Sequence, residues 1–536
     1  MGGAVIITEV QSRHELYEGK TTVAVILIAT VAACGGLLLG YDNGIMGGIT
    51  ANPDYQAKFF PNIAKHPADV NMFCKYDDHI LSLVTSCLYL SAAAAALMGG
   101  WTSNKYGRKF TMVCAGVFFG IGTVLVAAAV NVEMLVAGRV VLGFGVGLAT
   151  QATPLYLTEM APHNIRGALN VMFQLAVTIG IFAAQGINFG TLNIPDYGWR
   201  LSFALGGVPA LLLFCGSLLL PDTPNSLVAR GKVEEGLAIL QRIRGCEDVH
   251  SEFEDIQKAV ETNRSSKSAY CTILGRRYWP QLSICILLPF FQQFSGINAV
   301  MFFSPQMFEA AGQESSEAMM STVIMGSVNV ASTLVAILLV DRLGRRFLFF
   351  QGGGQMLCCL AAVAALIHYS ALSPNNEQLA ATVIAFICIY VAGFAWSWGP
   401  LAWLVPSEIA TIETRAAGTA IATCTNFLFT FLIGQCFLSM LCSMTWGVFL
   451  FFAGFVVLMT AFVGLFVPET KGVPVEEVDA LIVTEHWFWS RVVKGAAGSD
   501  SSQESFESSQ VSASAVASGK ATRLSVLVEI DQENKL

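Results

Sequence analysis

Long apolar runs separated by short polar joints make up most of this chain. Twelve of the runs reach the roughly 20 residues that carry a helix across a bilayer. They cover 22–48, 79–101, 110–130, 134–155, 168–190, 200–220, 281–310, 319–340, 347–369, 380–404, 417–441 and 446–467. A bilayer interior offers backbone amides no partner, so each run is predicted to be a helix. The joints differ in charge. Those after the second and eighth runs hold Lys105, Arg108, Lys109 and Arg342, Arg345, Arg346, and the long central connection holds Arg230, Arg242, Arg244, Arg276 and Arg277. The joints 131–133, 191–199, 311–318, 370–379 and 442–445 contain no Lys or Arg. Basic residues favour cytoplasmic loops, so an even number of crossings places both termini in the cytoplasm. The loop after the first run, with Lys58, Lys65 and Lys75, is the exception.

Two signatures recur half a chain apart. Gly107-Arg108-Lys109 is echoed by Gly344-Arg345-Arg346, and Glu159…Arg166 by Glu408…Arg415 with the same spacing. In each half the basic turn comes first and the Glu/Arg pair later. The reading is two copies of one six-helix membrane unit, an arrangement of secondary transporters. The expected organisation is a cytoplasmic N-terminus (1–21), a first bundle (22–220) with an outer loop (49–78), a cytoplasmic linker (221–280), a second bundle (281–467) and a cytoplasmic tail (468–536). The linker has helical patterning, as in Val233-Glu234-Glu235-Gly236-Leu237-Ala238-Ile239-Leu240-Gln241-Arg242. The outer loop, with Pro53, Pro61 and Pro67, reads as a cap. The tail is Ser-rich and lacks a hydrophobic pattern after about 495, where disorder is expected.

Composition agrees with a membrane protein: 54% of residues are hydrophobic and 13% charged, against about 25% charged in soluble domains. A net charge of −8 argues against a nucleic-acid partner. The fourteen cysteines form no CxxC pair and no Cys/His cluster, so no metal is expected. No nucleophile, ligand set or phosphate loop of an enzyme stands out; Gly143-Phe144-Gly145-Val146-Gly147 lies inside the fourth run, where small residues mean helix packing.

Polar residues inside the runs are costly and are functional candidates for that reason. Asp42 and Arg139 are the clearest charges in the first half, and pairing lowers the cost of both. A carboxylate that burial protonates and a neighbouring Arg ionises is sensitive to conformation, as proton coupling requires. The other runs carry uncharged groups: Gln174 and Thr178 on one face of the fifth, Gln292, Gln293 and Asn298 around Ser295-Gly296 in the seventh, Asn329 in the eighth, Asn426 in the eleventh. The tenth has Trp396, Trp398 and Trp403 around Gly399-Pro400, and breaks are predicted at both Gly sites. Amides that donate and accept, with aromatic faces, suit a neutral polyhydroxylated solute.

Read together, these motifs resemble the sugar porters of the major facilitator superfamily. Besides the basic turns, the carriers are Gln174-Leu175…Thr178…Gly180, Gln292-Gln293-Phe294-Ser295-Gly296-Ile297-Asn298, Gly399-Pro400…Trp403…Pro406-Ser407-Glu408 and Pro468-Glu469-Thr470-Lys471-Gly472. The stretch 33–44 and His486-Trp487-Phe488-Trp489 resemble the monosaccharide/proton symporters of plants and green algae. The resemblance covers about 20–490 and implies the major facilitator fold: an all-α membrane protein with two six-helix halves and short cytoplasmic helices between them. It implies that Gln174, Gln292, Gln293, Asn298, Asn329, Trp403 and Asn426 contact sugar. It also implies that Arg108, Glu159, Arg166, Asp341, Arg345, Glu408, Arg415 and Glu469 form a cytoplasmic gate clasping the halves. Relatives that only facilitate diffusion commonly have an amide at the Asp42 position, so Asp42 favours symport.

The chain departs from the family pattern in places. Pro221-Asp222-Thr223-Pro224 replaces the usual Pro-Glu-Ser-Pro, shortening one contact by a methylene. Phe302-Phe303 lacks a Tyr, Ile337 stands for a Gly and Asn104 for an Asp. The expected function is proton-coupled import of a hexose such as glucose or galactose, with a facilitative uniporter or a sugar sensor as alternatives. The proton is the coupling ion and no cofactor is expected. The protein is expected to act as a monomer in the plasma membrane. Cys74 and Cys442 both fall on the outer side, where a disulfide would tie the cap to the second half.

Overall fold

The structure, a computed structural model, describes residues 22–64, 74–162, 165–265, 269–310, 313–372, 377–411, 413–471, 482 and 486–497. Regular structure in these residues is entirely helical, and twelve helices or helix pairs are long and apolar enough to cross a membrane. The N-terminal segment 1–21, part of the outer loop and the tail beyond 497 lie outside the described residues.

In the first half, α1 (Val23–Ala51) is followed by the short α2 (Pro53–Phe59) and α3 (Pro61–Ala64), then by α4 (His79–Tyr106), α5 (Arg108–Ala127), α6 (Val132–Met160) and α7 (Arg166–Thr191). The sixth crossing is the pair α8 (Gly198–Leu205) and α9 (Gly207–Leu219). The linker supplies α10 (Pro224–Ala229), α11 (Val233–Arg244), α12 (His250–Ser265) and α13 (Ala269–Ile273). In the second half, the seventh crossing is α14 (Trp279–Gln293) plus α15 (Ile297–Ala310), and α16 (Ser315–Leu343) and α17 (Arg345–Leu372) follow. The tenth is α18 (Glu377–Ala395) plus α19 (Trp398–Ile409); α20 (Arg415–Met444) and α21 (Gly447–Phe466) complete the bundle, and α22 (Trp489–Ala497) lies beyond it. The end carrying α10–α13 is called the linker end, and the opposite end the capped end.

Helices outrun their apolar stretches, because backbone bonding continues wherever the chain can bond to itself. Thus α1 reaches Ala51, so the outer loop starts at Asn52 rather than 49, and α14 starts at Trp279 rather than 281. Polar side chains set the starts. Thr22 caps α1 by accepting from Val25 N and donates to Ile243 O of the linker at 2.8 Å, while Asp78 and Asn131 cap α4 and α6.

The breaks have local causes. In the seventh crossing Gly296 sits at φ +88°, a conformation Gly adopts without cost. The tenth breaks at Trp396-Ser397, two residues before the predicted Gly399-Pro400. Pro400 instead falls in the first turn of α19, where no backbone N–H is needed. Two further distortions were not read from the sequence. Pro209 removes the amide that would bond Leu205, beside the Gly206 joint, and Pro305 follows the kink at Phe303 in α15.

Close approach of α1 and α7 positions the first half of the site. A Cβ on Gly36 would lie 2.5 Å from Phe173 O, and one on Gly44 2.5 Å from Ile181 O. Only hydrogen fits there, as in small-residue interfaces of membrane helices. The halves meet chiefly along two pairings, α4 with α20 and α7 with α16, with α1 also packed on α15. The two chief pairings use the same two positions of the repeat taken in reciprocal order.

Candidate functional site

A cavity lies between the halves, lined by side chains of both. The seven residues implied by the resemblance, Gln174, Gln292, Gln293, Asn298, Asn329, Trp403 and Asn426, all line it. The break in the tenth crossing holds Gln292, whose Nε2 donates to Trp398 O (3.0 Å) and Gly399 O (3.2 Å), while its Oε1 accepts from Asn426 Nδ2 at 2.6 Å. Asn298 Nδ2 donates to Gln293 Oε1 at 2.5 Å. Phe173 meets Trp403 edge-on at 6.0 Å and fixes its ring. Trp396 and Trp398 point elsewhere, donating to Gln351 Oε1 and Phe349 O.

The sequence reading missed Asn43, Tyr89, Phe394, Phe427 and Thr430, which also line the cavity. A single polar residue in an apolar helix gives no periodic signal, and only the crossing geometry brings these together.

Asp42 and Arg139 form a buried ion pair beside the cavity, with residue exposures of 2% and 0%. Arg139 Nη1 donates to Asp42 Oδ1, Nε to Val84 O (3.1 Å) and Nη2 to Thr85 O (2.8 Å). Tyr89 Oη lies 3.2 Å from Asp42 Oδ2 and 2.6 Å from Asn43 Oδ1.

A profile of the family described as sugar (and other) transporter matches residues 28–482. The chain belongs to that family. It is 48% identical over 500 residues to the sugar transport protein MST5 of Oryza sativa subsp. japonica, covering 92% of this chain and 96% of the relative. It is 45% identical over 505 residues to the H(+)/hexose cotransporter 1 of Parachlorella kessleri, covering 92% and 94%. Among solved structures, the proton:xylose symporter XylE bound to 6-bromo-6-deoxy-D-glucose aligns with a TM-score of 0.75 at 27% identity, over 86% of this chain and 100% of that one. The all-α architecture is the major facilitator fold of a membrane transporter, and the family's members carry solutes rather than transform them.

At the linker end of this transporter the repeat is visible in atoms. Glu159 accepts from Arg108 Nη2 (2.7 Å) and Thr223 Oγ1 (2.5 Å); Glu408 accepts from Arg345 Nη2 (2.8 Å) and Thr470 Oγ1 (2.6 Å). Arg345 also reaches Asp341 at 3.2 Å. Each of these pairs runs within one half. Glu469 accepts from Arg345 N and Arg346 N at 3.0 Å each, at the start of α17. Its counterpart Asp222, a methylene shorter, lies 3.4 Å from Lys109 N and pairs with Arg230 at 2.5 Å. Contacts between the halves here include Asn170 Nδ2 donating to Ser407 Oγ (3.1 Å), and Gly167, where a Cβ would lie 2.8 Å from Asp341 Oδ1. Arg415 begins α20, and Arg166 begins α7 with its side chain outside the described set.

At the capped end a disulfide joins Cys74 to Cys442. Tyr76 donates to Glu309 of α15 at 2.6 Å; burial and that carboxylate push the phenol up, so it stays a donor. Gln306 Nε2 donates to Thr50 Oγ1 at 2.7 Å. The halves therefore touch on both sides of the cavity.

Proposed function

We propose that this transporter carries a monosaccharide, a hexose such as glucose or galactose, into the cell together with a proton by alternating access. The observation that carries the reading is a buried carboxylate–guanidinium pair next to an amide-lined cavity. The names of the relatives support it, one an H(+)/hexose cotransporter and one a proton:xylose symporter. Gln174, Gln292, Gln293, Asn298, Asn329 and Asn426 bond the sugar hydroxyls, and Trp403 covers an apolar face of the ring. The linker end, rich in Arg and Lys, faces the cytoplasm of the plasma membrane, with both termini on that side. A monomer contains the whole path.

Asp42 takes a proton from outside and releases Arg139, so the site crosses as a neutral carboxyl. The halves rock about the sugar, the charge clusters at Glu159 and Glu408 part, and sugar and proton leave inward. Return of the empty site re-forms the ion pair. One charge crossing 100 mV is worth about 2.3 kcal/mol. At about 1.4 kcal/mol per tenfold, that alone sustains a roughly 40-fold sugar gradient.

The test is sugar uptake by proteoliposomes with an acid exterior. Wild-type protein accumulates sugar above its external concentration, and Asp42→Asn equilibrates it at most. Accumulation by Asp42→Asn driven by the pH difference would remove the proton role.

A further inference from the structure

We infer that Tyr89 and Asn43 form a hydrogen-bond switch that converts the protonation state of Asp42 into the polarity of the cavity wall; this rests on the symport reading above.

The geometry is a competition for one proton. Tyr89 Oη has two oxygens in reach, Asp42 Oδ2 at 3.2 Å and Asn43 Oδ1 at 2.6 Å, and a phenol donates only once. Tyr89 and Asn43 line the cavity, whereas Asp42 lies behind them. The Tyr89 ring is held by stacking on Phe302 at 5.3 Å and by Phe427 at 6.1 Å, so only its hydroxyl can turn. The Asn43 amide can rotate half a turn with little change of shape.

When Asp42 is ionised, a charge-assisted bond to the carboxylate is the stronger choice for the phenol. Asn43 then turns its NH₂ toward the phenol oxygen, the reverse of the amide orientation in the structure, since two acceptors at 2.6 Å repel, and its carbonyl faces the cavity. When Asp42 is protonated, its O–H donates to Tyr89 Oη and the phenol passes its own hydrogen bond to the Asn43 carbonyl. The amide NH₂ then faces the cavity. One proton on Asp42 therefore changes a sugar-facing acceptor into a donor, and no proton enters the cavity. By reciprocity, a sugar oxygen that prefers the donor makes Asp42 easier to protonate.

The groups that act on Asp42 come from several elements. Arg139 reaches it from α6, and Tyr89 and Cys87 from α4. Tyr55 of α2 stands within electrostatic reach of Arg139 and Cys87. From α7 the neighbours of this stretch of α1 are the amide of Asn188, on Gly44 O and Ile45 O, and the apolar Val177 and Ile181. Gln306 of α15 meets the next turn at Gly47 O, with Glu309 one turn further along α15.

Tyr89 and Asn43 are thus positioning residues for the coupling, and the test reads sugar affinity against pH. Wild type, Tyr89→Phe and Asn43→Leu are reconstituted, using whichever of D-glucose, D-galactose and D-xylose the wild type accumulates most. Dissociation constants are measured across the pH range in which wild-type affinity changes. One linked proton lets wild-type affinity change by up to about tenfold per pH unit. In both variants that change shrinks to about twofold or less per unit, whatever their absolute affinity. A variant that binds more weakly but keeps the wild-type slope overturns the switch, because a merely structural loss scales every pH alike. If Tyr89→Phe does not fold, Asn43→Leu decides by the same slope. Failure of the wild type to accumulate any of the three sugars against a pH gradient instead overturns the symport reading beneath it.

Discussion

Gln292 shows how a buried amide can be committed on both sides. Its NH₂ is bonded to two carbonyls of α19 and its oxygen to Asn426, so the cavity wall here is a pre-set network rather than a free side chain. Gln292→Leu leaves the Asn426 amide without its acceptor. The orphaned amide lowers stability, and a hydrogen bond lost to a sugar hydroxyl is worth about 0.5–1.5 kcal/mol, so the KM for sugar uptake should rise by up to about tenfold. An unchanged KM would mean that this network does not shape the sugar site. At this scale the sequence was informative about type and weak about neighbours. Intramembrane amides announce themselves because they are costly, and all seven implied sugar contacts line the cavity. Asn43 was in plain view beside Asp42, yet its meeting with Tyr89 depends on the crossing of α1 and α4, which no spacing along the chain encodes. Bonding of Asp222 to Arg230 was hidden in the same way; only the missing methylene was legible.

Hydropathy located every crossing, because length and apolarity alone decide whether a helix spans. It was blind to where helices end, since α4, α6 and α19 continue through polar residues to Tyr106, Met160 and Ile409. The joints between α4 and α5 and between α16 and α17 rest on Gly107 (φ +100°) and Gly344 (φ +89°). An L-residue is strained in that conformation, and a Cβ on Gly344 would lie 2.9 Å from Glu469 Oε2. Gly344→Ala should cost about 1–3 kcal/mol, and Gly107→Ala, whose Cβ would press on the Asp222 carboxylate, a similar amount. Thermal unfolding of the purified variants should show midpoints lowered by several degrees in both. A shift in only one would mean that the two joints do not carry equivalent loads.

Across the whole molecule, duplication was legible from two short echoes, and the structure joins them in each half in a three-residue cluster: Arg108–Glu159–Thr223 and Arg345–Glu408–Thr470. The resemblance implied a clasp between halves; the described pairs of Arg108, Glu159, Arg345 and Glu408 run within each half, and the halves touch there at Gly167 and at Asn170–Ser407 among other places. The thresholds for moving the halves thus differ at the two ends. The linker end is held by polar contacts that can part, the capped end by a covalent bond between Cys74 and Cys442. Replacing both cysteines by Ser should lower the thermal midpoint by several degrees, reflecting a few kcal/mol of lost cross-link stabilisation. It should also increase labelling of capped-end residues by membrane-impermeant reagents. Unaltered labelling would show that the bond does not restrain opening.

That bond also sets an order of events during synthesis. Its two cysteines are 368 residues apart in sequence. At about 5–20 residues per second, Cys74 is made roughly 20–75 s before Cys442. Through that interval the first half waits with an unmatched thiol, and the correct partner arrives only when α20, the second-last crossing, has docked against α4. An oxidised Cys74–Cys442 pair is therefore a chemical record that α20 of the same chain has been made and has docked against the first half.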